Sequence, residues 1–339
     1  MCAMKNKKLF SLLNVVSWLL LTLPATAFGQ DKIHDTNYYK TFPDKSTVRL
    51  YFSKKYTSFH IPSINNDDDF KYRPNTSFTT GAGITYNNIS LNLSYGFSVF
   101  NPDDEKGKTK SIDFEGHIYP GKWAIDLLGI RHKGLHIYPK GYTYGNSNEF
   151  YYRPDATMIL TGIGIYRVTN TDRFSYNAAM IQSEWQQKSA GTFLYGGEVY
   201  YGSLNGDSSL IPTIKETSFW EAGINKLHFV NFGVGAGYGY TFVVSRHFFA
   251  TGSAIANINV SFSTEDIADL HLRKTSVNPS FIYKAAIGYN SDNWIITANW
   301  AANTLWTRAN LSTDAYEIPT GNYRFIVAKR IGKLFQKKK

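Results

Sequence analysis

The chain carries one cysteine, Cys2, in 339 residues. It precedes an apolar stretch that reads as a cleavable leader, so the mature protein is expected to have no disulfide, no thiol nucleophile and no cysteine metal ligand. Charge is also scarce, at 18% of residues against 43% hydrophobic and 16% aromatic. That balance excludes a disordered chain, whose signature is low hydrophobicity and high charge. Long hydrophobic runs are missing too. Mean hydropathy is -0.29, and beyond the N-terminus no apolar run approaches the roughly 18 residues a membrane-spanning helix needs. Helical periodicity is nowhere sustained, which leaves strands.

The leader has a basic stretch (Lys5, Lys7, Lys8), an apolar stretch from Leu9 to Leu23, and the small-residue site Ala25-Thr26-Ala27. Residues 1-29 are thus expected to be a signal peptide cut after Ala27 or Gly29, followed by an N-terminal periplasmic segment over 30-45. Without its three lysines the chain keeps 33 basic and 26 acidic residues, and six of the basic ones lie within 329-339. The basicity is concentrated in a C-terminal tail, 331-339, and the body is close to neutral. A solvated tail is the plain reading, with anionic lipid as the first partner an exported chain would meet.

The dominant pattern has a period of two. Phe78, Thr80, Ala82, Ile84 and Tyr86 share one face, opposite Ser77, Thr79, Gly81, Gly83 and Thr85. Asn87-Asn88 reads as a two-residue hairpin turn. After it Ile89, Leu91, Leu93, Tyr95, Phe97 and Val99 form an apolar face that coincides with the first, because Tyr86 and Ile89 pair across the turn. The same alternation recurs over 228-244, 247-262, 277-290 and 294-306. Strands of this length match what a tilted strand needs to cross a bilayer.

Tight turns (87-88, 120-122, 169-173, 245-246, 292-293) alternate with polar connections at 62-73, 101-110, 139-155, 263-275 and 307-319. Short turns at one end and long loops at the other are the layout of an outer-membrane barrel, and Tyr86, Trp123, Phe174, Phe248, Tyr289 and Trp294 flank the short turns where an aromatic girdle belongs. The expected fold is therefore all-β, an antiparallel transmembrane β-barrel over 46-330 with short periplasmic turns and long extracellular loops. The pattern yields thirteen segments, 173-183 among them. Single-chain bacterial barrels have even strand numbers, so 12-14 strands are expected.

The stretches KSTVRLYFSKKYTSFHI (45-61), YRPN (72-75), NPDDEKGKTKSIDF (101-114), FYYRPD (150-155), RFSYNAAMIQSEWQQKSAGTFLYGGEVYYG (173-202) and NFGVGAGYGYTFV (231-243) resemble an uncharacterised family of Bacteroidetes-type Gram-negative bacteria. The resemblance spans nearly the whole mature chain and implies an outer-membrane barrel. It brings no reaction, ligand or catalytic residue with it.

Several groups are candidates for chemistry. With Ile112, Phe114 and Ile118 outward, Asp113, Glu115 and His117 face the lumen, and Asp126 joins them after the turn at Pro120. Such a cluster can serve ion selection, acid-base work or simple lumen polarity. Gly233, Gly235, Gly237 and Gly239 form a lumen glycine stripe. Their strict spacing of two, with no helix following, excludes a dinucleotide loop, and they instead free space for bending or for an internal plug. His132, His136 and Ser147 are the raw material of a rim hydrolase without a nucleophile motif. The acidic runs 65-69 and 103-105 lack EF-hand spacing and read as solvated loops.

No metal site, cofactor or nucleic-acid partner is expected. Expected partners are outer-membrane lipids, lipopolysaccharide and small solutes. Three function classes stay open: a passive pore for small solutes, favoured by the polar lumen; a structural or accessory barrel of an envelope complex with a filled lumen; and a lipid-modifying enzyme. No catalytic motif supports the last, so a non-enzyme is expected.

Overall fold

The computed structural model describes residues 34-65, 67-86, 89-96, 104-145, 148-308, 310-311 and 314-332. The alternating stretches become strands β1 (Tyr39–Thr41), β2 (Lys45–Thr57), β3 (Phe59–Ile61), β4 (Phe70–Pro74), β5 (Thr79–Tyr86), β6 (Ile89–Gly96), β7 (Lys110–Ile118) and β8 (Trp123–Tyr138). They continue as β9 (Tyr152–Val168), β10 (Glu184–Gln186), β11 (Ala190–Asn205), β12 (Lys226–Val244), β13 (Phe248–Ile267), β14 (Leu270–Asn290), β15 (Trp294–Arg308) and β16 (Ala315–Gly332).

β1 and β10 pair with each other, and the other fourteen strands form one sheet. Within it β2 and β3 are one interrupted pass along β16, and β4 and β5 are another, so the wall has twelve passes. Hydrogen bonds run from β16 through β15, β14, β13, β12, β11, β9, β8, β4 and β3 back to β16, a closed antiparallel ring of ten strands. Closure leaves these strands no free edge. β2, β5 and β6 extend the wall from β16 toward the short-turn end, and β7 extends it from β8.

The faces are inverted relative to a water-soluble sheet. Along β12, Phe232, Val234, Tyr238, Tyr240 and Phe242 are exposed outward, while Asn231 and Thr241 are fully buried inward. On β13, Ile258, Val260 and Phe262 point out, and Asn257, Asn259, Ser261 and Ser263 point into the bore. An apolar exterior around a polar interior is what a lipid solvent demands.

Five expectations need correction. The segment 173-183 is not a strand. Ser175 caps a short helix, α1 (Tyr176–Ala179), by accepting a hydrogen bond from the Ala178 N–H at 3.0 Å, and the chain then enters β10. All four residues of α1 are buried, so period-two polarity carried no face information there. Without this segment the thirteen become the twelve passes of the wall, and the closed barrel has ten strands where 12-14 were expected, because β6 pairs only with β5 and β7 only with β8 and neither enters the ring. Consequently 169-173 is not a tight turn but the start of an excursion that ends at β11. The 263-275 connection is mostly strand, with β13 and β14 joined by Ala268 and Asp269 alone, and 307-319 shrinks to the six residues between β15 and β16. These strand ends are polar because they project beyond the apolar zone, and polarity there imitates a loop. The barrel itself runs from Lys45 to Gly332; residues 333-339 of the tail lie outside the described residues.

Candidate functional site

The expected lumen cluster is assembled by the β7–β8 pairing, which sets His117 directly opposite Asp126. His117 Nδ1 lies 2.7 Å from Asp126 Oδ1, and its Nε2 lies 3.1 Å from Glu115 Oε1. Asp113 accepts from Lys55 Nζ at 2.6 Å. What the sequence did not indicate is the cationic half of the cluster. Lys284 donates to both Asp126 oxygens at 2.8 and 2.7 Å, Asn322 donates to Glu115 at 3.0 Å, and Arg324 stands 4.0 Å from the same carboxylate. Three carboxylates thus face Lys55, Lys284 and Arg324. The negative lumen potential that would make a bore cation-selective is cancelled locally. No sequence signal tied Lys284, on β14, to residues more than 150 positions earlier; only ring closure does so. Beside the cluster lies a cavity of about 60 Å³, bordered by Lys55, Glu115, His117, Lys284 and Asn303, room for a few waters.

A second inward network surrounds Glu198, which is 3% exposed. It accepts from Tyr166 Oη at 3.1 Å, from Asn257 Nδ2 and Asn259 Nδ2 at 3.0 Å each, and from the Ser280 hydroxyl. The glycine stripe makes this possible. A Cβ on Gly233 would collide with the Asn259 amide, and one on Gly235 with Asn257 and the Ala256 carbonyl. Gly239 instead borders the helix segment, its would-be Cβ 3.3 Å from Tyr176 Oη and 3.5 Å from Phe174. Gly235→Val is therefore expected to cost about 1–3 kcal/mol through overpacking, measured as a lower urea midpoint of the folded barrel, whereas the neighbouring outward change Val234→Ile should leave the midpoint nearly unchanged.

The short-turn end of the bore is filled by the chain. Residues 34-41 and 169-188 form a compact plug around the β1–β10 pair, with Tyr39 fully buried and its hydroxyl donating to Thr171 O at 2.8 Å. The expected periplasmic segment 30-45 is thus partly an internal element. Arg330 donates from the wall to Gln182 O at 3.2 Å and Glu184 O at 2.9 Å, and Arg49 donates to Ile181 O at 2.9 Å. Plug and cluster meet at Lys284, whose ammonium lies 5.1 Å from the Tyr119 ring and 5.3 Å from the Tyr176 ring.

The opposite end is closed by an apolar core inside the ring that includes Phe59, Phe70, Tyr72, Leu210, Phe219 and Tyr316. The acidic run 65-69 is not a free loop here. Asp69 accepts from Ser63 N at 2.7 Å and Asp68 from Lys215 Nζ and Ser218 Oγ at 2.6 Å each. The bonds from Lys215 and Ser218 hold the Asp68 carboxyl below the usual carboxylate range. In the other acidic run, Asp103 lies outside the described residues and Glu105 pairs with Lys140 at 2.9 Å.

Of the hydrolase candidates only the two histidines are among the described residues. His132 is buried against Ser111 Oγ at 2.8 Å, His136 packs edge-on to Phe150, and Ser147 lies outside the described residues. Among the described residues no group of three or more His, Cys, Asp or Glu is placed to hold a metal. Of the expected lipid-facing set, Leu93 is 73% exposed. Ile89, Leu91 and Tyr95 lie in β6 opposite Tyr86, Ile84 and Thr80, with side chains outside the described set. Phe97 and Val99 lie outside the described residues altogether.

Fold and site together define a β-barrel with an apolar outer wall and an occupied bore. The chain belongs to the family described as Domain of unknown function (DUF4421), which matches residues 33–328. No curated protein matches it. Among solved structures it is similar to the translocator domain of autotransporter NalP from Neisseria meningitidis, at 10% identity over 94% of this chain and 96% of that one, with a TM-score of 0.31. OmpT, an outer membrane protein of Vibrio cholerae, matches at 9% identity over 83% of this chain and 97% of that one, with a TM-score of 0.30. The outer membrane protein OprG from Pseudomonas aeruginosa matches at 10% identity over 88% of this chain and all of that one, with a TM-score of 0.23.

Proposed function

We propose that this protein is an outer-membrane barrel that works with its bore shut, as a structural or accessory component of the cell envelope. The observation that carries the reading is the occupied bore: plug, charge-balanced cluster and apolar cap follow one another along its length. A passive pore for small solutes needs a continuous wet path and, for cation preference, uncompensated acids, and both requirements count against it here.

Purified protein in planar bilayers is expected to show no steady conductance. Steady ohmic conductance of the wild type would overturn the proposal in favour of the pore. Cell fractionation supplies the location test: the mature chain is expected with the outer membrane, and recovery as a soluble periplasmic protein would sink that part of the reading.

A further inference from the structure

The outer surface of β7, β8 and β9 is a ladder whose rows can be read across the wall. Lys110 is paired directly with Lys133, and the next row sets Ile112 beside Arg131 and Ile159. Below them come Phe114 with Gly129, Leu127 with Ile163, and Ile125 with Ile165, and the last row pairs Trp123 with Arg167. Ile112 is 68% and Phe114 59% exposed, so this is the lipid-directed face. Arg167 lies 5.0 Å from the Trp123 ring, the aromatic-cation pairing typical of a membrane interface. From Trp123 to Lys133 is ten residues, or about 33 Å of strand, and a tilt near 40° reduces that to about 25 Å of height, the thickness of a barrel's apolar band. The Lys110–Lys133–Arg131 group therefore sits at the opposite interface, on the long-loop side.

Like charges placed directly opposite across an antiparallel pair repel. All three cations are exposed, and among the described residues none of them has an ion-pair partner. Three cations converging immediately above an apolar surface fit a ligand with phosphate above and acyl chains below.

We propose that Lys110, Arg131 and Lys133 form a binding site for the phosphate of an outer-leaflet phosphorylated glycolipid, whose acyl chains lie along Ile112 and Phe114. This assignment rests on the outer-membrane reading above. Phosphate oxygens bridging Lys110 and Lys133 would turn their repulsion into a shared contact, and Arg131, one row lower, supplies a forked donor.

The test uses the full mature chain in neutral nanodiscs, with native mass spectrometry counting bound bisphosphorylated lipid A, its dephosphorylated form, or phosphatidylglycerol. Bisphosphorylated lipid A is expected to bind at least about tenfold better than the dephosphorylated form, and the triple variant Lys110→Gln, Arg131→Gln, Lys133→Gln to lose that preference. Arg167→Gln, at the other interface, should retain it. Should the triple variant fold poorly, Lys133→Gln alone serves, with an expected rise in lipid-free thermal midpoint as the repulsion disappears. Equal binding of both lipid A forms, equal binding of phosphatidylglycerol, or unaltered preference in the charge variants overturns the proposal. A chain that does not insert into bilayers at all defeats the outer-membrane reading instead.

Discussion

Lys284→Met is expected to destabilise the folded barrel by about 3–5 kcal/mol, the usual cost of removing one partner from a buried ion pair. The Lys284 side chain is 3% exposed and that of Asp126 12%. Methionine keeps the stem but leaves Asp126 facing inward with only His117, and it removes the cation between Tyr119 and Tyr176 that joins wall to plug. Urea unfolding in lipid vesicles, followed by the gel shift between folded and unfolded barrel, reads the loss. The double variant Lys284→Met, Asp126→Asn should recover much of it, because no unpaired charge then remains. A single-variant cost below about 1 kcal/mol would mean that water reaches this cluster freely and that the plug is not anchored through it.

Ala256→Arg is expected to cost about 2–4 kcal/mol, the mid-bilayer penalty for a cation on a barrel's lipid face. Ala256 points outward near the midpoint of the apolar run from Phe248 to Phe262, paired with Ala236 on one side and Phe281 on the other. Ala256→Leu at the same position should be neutral or mildly stabilising in a bilayer, since it adds only apolar area to a surface bathed in lipid. The pair of variants separates membrane from water: on a soluble protein arginine would be harmless there and leucine a solubility liability. Equal stability of the two variants in vesicles would mean that this face does not meet lipid.

How much of this was legible beforehand depended on whether a residue's role is local. The β12–β13 faces were readable because each side chain has only two environments, lipid or bore, and strand geometry alternates them. The same holds for Asp113, Glu115, His117 and Asp126, which one hairpin brings together. The failures share a cause as well. In 173-183 the run 174-179 is wholly buried, so Phe174, Ser175, Tyr176, Asn177 and Ala178 alternate in polarity without alternating in environment. In 263-275 the strands outrun the apolar zone, and Glu265 and Asp266 look like loop although they are paired with Leu272 and His271.

By itself the sequence determined an all-β antiparallel barrel and the two faces of β12 and β13, since these follow from a period of two and from the lengths of the runs, whereas the ten-strand closure depends on which strands pair at the ring. Only the tertiary structure decided whether the bore is open. That depends on ring closure bringing Lys55, Lys284 and Arg324 to three acids on β7 and β8, and on Arg49 and Arg330 clasping carbonyls of a plug far from them in sequence. Pairings between residues more than fifty positions apart leave no periodic trace along the chain, because each partner individually looks like any other polar lumen residue.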